Sequence, residues 1–177
     1  MKNTKILFII IISLLFINCS QKETKIMELS SDSFTNGALI PSEYSCEGDD
    51  LSPLLIWNKP PEKVKSFALT CVDPDAPMGD WIHWVAWNIP ADWNSLSKGI
   101  DPIDQSQFTQ GTNSWGKTGY GGPCPPKGHG PHRYYFTLYA LNTELTLDTT
   151  AQLNNLLEII EDHILGKAVL LGQYERK

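Results

Sequence analysis

No run of lysine and arginine occurs anywhere in the chain. Fourteen basic residues face twenty acidic ones across 177 residues, for a formal charge of −6. Nucleic-acid backbones are held by clustered cations, so this deficit excludes the most direct route to DNA or RNA. Long apolar runs are almost as scarce. The only one, Ile6 to Ile17, covers twelve residues broken by Ser13. As a helix it would rise about 18 Å, short of the roughly 30 Å of a hydrocarbon core. There is no G-x-S-x-G elbow, no C-x-x-C and no H-E-x-x-H, which removes the most recognisable signatures of serine hydrolases and zinc sites. Internal repeats and long linkers are also missing, so one domain is expected.

What the N-terminus does contain reads as an address. Lys2 and Lys5 precede the apolar run, whose length suits a secretory signal peptide. The following Phe16-Ile17-Asn18-Cys19 resembles a bacterial lipobox, with Phe16 in place of the usual Leu and Asn18 in place of a smaller residue. The resemblance implies cleavage after residue 18 and acylation of Cys19, with residues 19–25 as a polar tether and 26–177 as the folded domain. The protein is then expected at the cell envelope, lipid-anchored on the periplasmic or outer-membrane side. Without residues 1–18 the chain keeps twelve basic and twenty acidic residues, a net −8.

Cysteine is sparse. Beyond Cys19 only Cys46, Cys71 and Cys124 remain. An odd set cannot make a full disulfide framework, but an oxidising compartment permits one bridge, and no pairing is assigned. Cys71 lies in an apolar run and reads as a small core residue.

Six Trp, six Tyr and six Phe supply a core, and most of the chain reads as short strands. Candidates are 38–44, 54–57, 67–72, 81–89, 134–141 and 167–174. In 81–89, alternation sets Trp81, His83, Val85 and Trp87 on one face, and Ile82, Trp84, Ala86 and Asn88 on the other. One helix is predicted, with Leu153, Leu156, Leu157, Ile160, Ile164 and Leu165 along one stripe, Asp148 or Thr149 as N-cap and Gly166 as C-cap. Its stripe is expected to pack on a sheet. All twelve prolines fall between Pro41 and Pro131, and ten of the sixteen residues from Gly116 to Pro131 are Gly or Pro. A long stiff loop inside a compact domain is usually functional.

Three segments carry chemistry: Asp73-Pro74-Asp75-Ala76-Pro77, Trp81-Ile82-His83-Trp84, and Tyr120-Gly-Gly-Pro-Cys-Pro-Pro leading to His132-Arg133-Tyr134. Their order and spacing resemble the phosphatidylethanolamine-binding protein family, in its bacterial and archaeal Raf kinase inhibitor-like branch. The resemblance implies a mainly β fold of two packed, largely antiparallel sheets with a C-terminal helix. It also implies a small anion pocket lined by Asp73, Asp75, Trp81, His83, Gly122, Pro126, His132 and Tyr134. Phosphate-like groups would bind there, including phospholipid headgroups.

The chemistry of such a set is clear. A carboxylate beside a histidine favours its charged form, or at least fixes the tautomer so that the far N–H points outward. Asp73 is therefore expected to organise both His83 and His132, with backbone N–H groups of the Gly-rich loop and the Tyr134 hydroxyl adding donors for an oxyanion. Arg133, pointing the other way along its strand, is expected to pair with Asp75. No cofactor, metal or catalytic residue is assigned. Two rival readings use the same residues: an inhibitor of a kinase or protease, and an ester or phosphodiester hydrolase built on an Asp/His pair.

Overall fold

The computed structural model describes residues 26–177 apart from Lys59. The signal segment, Cys19 and the tether therefore lie outside the described residues. Among the described residues, eight strands form two antiparallel sheets. The smaller sheet has the order β1-β2-β5, from β1 (Glu28–Ser30), β2 (Leu55–Asn58) and β5 (Ser95–Leu96). The larger has the order β6-β4-β3-β7-β8, from β3 (Ser66–Asp73), β4 (Trp81–Pro90), β6 (Thr109–Gln110), β7 (His132–Leu141) and β8 (Ile164–Tyr174).

The position of β3 explains its sequence. It is the central strand of the larger sheet and is covered on both faces, so seven of its eight residues are buried and it reads as a continuous apolar run. On one face Phe67, Leu69, Trp84, Phe136 and Leu138 meet Leu29, Leu55, Trp57 and Leu96 of the small sheet. On the other, Ala68, Val85, Trp87 and Leu141 meet Leu156 and Ile160 of helix α1 (Leu153–Ile160). The helix stripe does pack on a sheet.

Several boundaries differ from the sequence reading, each for a tertiary reason. Helix α1 ends at Ile160, followed by a 3₁₀ turn over Glu161–His163. Ile164 is claimed by pairing with Leu141, so β8 starts there, before Gly166 could act as a cap. The N-terminus of α1 is set by Gln152, whose N–H donates to Asn155 Oδ1 at 3.0 Å, and not by Asp148 or Thr149. The expected strand at 38–44 is only an isolated parallel bridge, Leu39 to Gln173, followed by a 3₁₀ turn over Ser42–Tyr44.

The most consequential departure lies in β4. Cys71 pairs with Trp84 and Val72 with Ile82. One step along β3 thus answers two along β4, making His83 the extra residue of a β-bulge. The bulge breaks the alternation: Ile82 packs with Val85 and Trp87 near the helix, and His83 is released from their face. Two of the three uncommitted cysteines also find each other. Cys46 and Cys124 form a disulfide across 78 positions, while Cys71 stays free and buried.

Candidate functional site

Strand ends bring the chemistry together. β3 closes at Asp73 and β4 opens at Trp81, in register opposite it. β7, on the other side of β3, opens at His132. The sheet thus delivers Asp73, Trp81 and His132 to one edge, and the bulge turns His83 toward them.

Asp73 is nearly fully buried and uses both oxygens. Oδ1 accepts the N–H of Asp75 at 2.8 Å, the Asx turn that the D-P-D sequence favours. Oδ2 accepts from His132 Nδ1 at 2.8 Å. His83 is held differently. Its Nδ1 donates to the carbonyl of Gly121 at 2.6 Å, and its ring meets those of Tyr134 and Trp115 edge-on, each at 5.0 Å. Burial pulls the His83 pKa down to about 4, against the opposing pull of the Gly121 and Gly122 backbone and the Asp73 charge. His83 is therefore neutral at pH 7. Asp73 orients one histidine, not the expected two, because the bulge hands His83 to a backbone carbonyl.

These groups line a cleft of about 260 Å³. Asp73, His83 and His132 give it polarity. Pro77 and Met78 of the β3–β4 turn, Trp81, Trp115, and Cys124 to Pro126 form apolar walls. Met78 is 88% exposed, so the apolar rim faces outward. The Cys46 disulfide pins the wall that carries Cys124. A roomier cleft of about 430 Å³ lies elsewhere, beside Asp92, Asp101 and Asp104, but among the described residues no histidine, lysine or arginine lines it.

Of the residues singled out in the sequence, Asp73, Trp81, His83, Pro126 and His132 meet at the cleft. Three do not line it. Asp75 turns away to Arg133, whose Nε and Nη2 reach its two oxygens at 2.8 and 2.7 Å; this pairing holds the Asp75 pKa down at about 2. Gly122 is a packing residue: its N–H donates to Asp50 Oδ1 at 2.6 Å, and a Cβ there would collide with the carbonyl of Tyr44. The N–H of Gly121 likewise goes to the His83 carbonyl at 2.9 Å. These loop donors serve the fold, contrary to the expectation that they face a ligand. Tyr134 sits behind the His83 ring, with its hydroxyl buried and without a hydrogen-bond partner. Burial first, then the Asp73 charge, raises its pKa well above the usual phenol range.

Sequence reasoning missed Trp115 and Met78. Trp115 is presented by a turn around Asn113, whose Oδ1 accepts from the N–H groups of Trp115 and Lys117 at 3.0 and 3.1 Å. It lies one residue before the Gly/Pro-rich stretch, and a tryptophan in a polar Asn-Ser-Trp-Gly turn was a usable signal.

Comparison with known proteins follows the same outline. A family model described as phosphatidylethanolamine-binding protein matches residues 30–175. A UPF0098 protein of Methanothermobacter thermautotrophicus is 45% identical over 152 residues, covering 85% of this chain and 99% of that protein. Among solved structures, a phosphatidylethanolamine-binding protein (PEBP) homologue of Chlamydia trachomatis, CT736, superposes with a TM-score of 0.80 at 37% identity, covering 87% of this chain and 100% of the other. Escherichia coli YbcL, described as a member of the mammalian PEBP family, gives 0.80 at 33% identity, covering 85% and 99%.

Proposed function

Because the chain belongs to the phosphatidylethanolamine-binding protein family, we propose that its cleft is a non-catalytic binding site for phosphate-like groups, carried by phospholipid headgroups or phosphorylated ligands. One observation carries the reading. Two imidazoles, His83 and His132, line one small cleft, each with Nδ1 already bonded and Nε2 left for a ligand. Ordered nitrogens need no reorganisation on binding, which is what preorganised recognition requires.

The walls favour binding over catalysis. Among the described residues, no serine, threonine or lysine lines the cleft, and Cys124 is committed to its disulfide. An Asp/His pair without a neighbouring nucleophile lacks the usual partner for acyl or phosphoryl transfer. The apolar rim of Met78, Pro77 and Trp115 suits a ligand with a hydrocarbon portion beside its charged group.

We extend the proposal to location: a lipid anchor at Cys19 would hold the domain at the outer side of a bacterial membrane. The N-terminal run supports this, and so does the Cys46–Cys124 bridge, since disulfides persist in oxidising compartments.

Titration with inorganic phosphate, followed through the ring resonances of the four histidines, tests the site. His83 and His132 are expected to shift, with the half-buried His163, which bonds to Asn142 away from the cleft, unmoved. Unchanged spectra at millimolar phosphate would remove the proposal.

A further inference from the structure

The two imidazoles of the cleft are not equivalent. His132 Nδ1 faces a carboxylate, whereas His83 Nδ1 faces the Gly121 carbonyl. A carbonyl oxygen can only accept, so the proton of neutral His83 resides on Nδ1 and its Nε2 carries a lone pair. The titratable groups around His83 are Asp73 of β3 and His132 and Tyr134 of β7. Among the described residues, no lysine or arginine lines the cleft. Arg133 is committed to Asp75, and Arg176, near Cys124, leans on Glu47 at 3.5 Å.

Resting on the reading of the cleft as a phosphate-group site, we propose that its ligand is a singly charged phosphoryl group that still carries a proton, and that this P–OH donates to His83 Nε2. A fully deprotonated oxyanion would set its lone pairs against that of Nε2. A dianion would also sit beside the Asp73 carboxylate with no fixed cation to offset its second charge. The monoanion of a phosphomonoester avoids both penalties, because it brings one negative charge and one donor. Burial holds the His83 ring neutral in the empty cleft, so a ligand that brings its own proton spares the cost of charging that ring. Sulfate and phosphodiesters lack such a proton and are expected to bind more weakly, since an unpaired buried polar group is costly. Among the phospholipid headgroups of the broader reading this favours a phosphomonoester such as phosphatidic acid.

The test is calorimetric titration of the protein with methyl phosphate, dimethyl phosphate and sulfate at pH 5.5, and with methyl phosphate and sulfate again at pH 8. Methyl phosphate is expected to bind at least tenfold more tightly than either competitor at pH 5.5. Its affinity should fall at least tenfold by pH 8, as the monoester loses its second proton near pH 6, with no parallel fall for sulfate. Equal binding of sulfate or dimethyl phosphate at pH 5.5, or the same pH dependence for sulfate, would overturn this inference and leave the anion cleft standing. No binding by any of the three would count against the broader reading, and this one with it. Glycerol 3-phosphate and phosphatidylcholine vesicles doped with phosphatidic acid carry the same donating group. Tighter binding of one over the other assigns a soluble or a lipid-borne source.

Discussion

Asp73 and His132 are 59 positions apart in sequence, yet a 2.8 Å hydrogen bond joins them and each is 3% exposed. The pair spans two strands at the same end of the sheet, so it fastens the site and the fold in one contact. A buried carboxylate with both oxygens occupied is a positioning group, and His132 is what it positions.

Asp73→Asn keeps the shape and removes the charge. One of its two accepting oxygens becomes an amide that cannot accept. Hydrogen bonds involving a charged group contribute about 1.5–3 kcal/mol, so urea unfolding should show a loss of roughly that size. Phosphate affinity should fall by tenfold or more, because His132 loses its fixed tautomer. Unchanged affinity in a folded variant would contradict this positioning role.

The pH dependence follows from His83. Its pKa is depressed to about 4 in the folded state, against 6.5 for the free side chain. Between those values the unfolded chain binds more protons than the folded one, so stability falls as pH drops from about 6.5 toward 4. Integrated over that window, the penalty is on the order of 3 kcal/mol. His83→Asn, whose side-chain amide can replace Nδ1 on the Gly121 carbonyl, should flatten this part of the profile. Thermal midpoints of both proteins between pH 7 and pH 4.5 provide the measurement.

Cleavage of the disulfide should act on both stability and binding. Cys46 and Cys124 close a segment of 78 positions, and Cys124 is also a wall of the cleft. Removing a cross-link of this span costs about 4 kcal/mol in the chain-entropy model. Cys46→Ala/Cys124→Ala should melt well below the oxidised wild type and bind phosphate more weakly. Reductant should lower the melting temperature of the wild type and leave that of the double variant unchanged.

Arg133 supplies the contrast. Its bidentate contact with Asp75 is half-exposed and points away from the cleft. Exposed ion pairs contribute about 0–1 kcal/mol, so Arg133→Gln should shift stability by less than about 1 kcal/mol and leave phosphate affinity unchanged. A large loss of affinity would mean that Asp75 belongs to the site after all.

The clearest elements in the sequence were those governed by local pattern. Ser66–Asp73 and His132–Leu141 are apolar and β-branched, and both emerge as strands close to their expected limits. Arg133 and Asp75 pair as alternation along a strand suggests. Boundaries at Ile160 and Ile164 were hidden, because helical periodicity continues through residues that β7 claims for its ladder. Trp115 was hidden for another reason: it enters the cleft from a separate loop with no motif in common with the histidines.

Mainly β architecture can be read from hydropathy, and the five residues gathered at the cleft follow from the family resemblance that the order and spacing of the motifs carry, since motifs and hydropathy are properties of neighbours along a chain. The roles of those residues cannot be read this way. Whether His83 is charged, and which atom orients it, depends on a bulge that appears only when β4 pairs with β3. Whether Gly122 serves a ligand or the fold depends on Asp50 and Tyr44, more than seventy positions away. Electrostatics and close packing act through space. Contacts across the sheet therefore hold His83, an expected outward donor, neutral with Nδ1 on a backbone carbonyl.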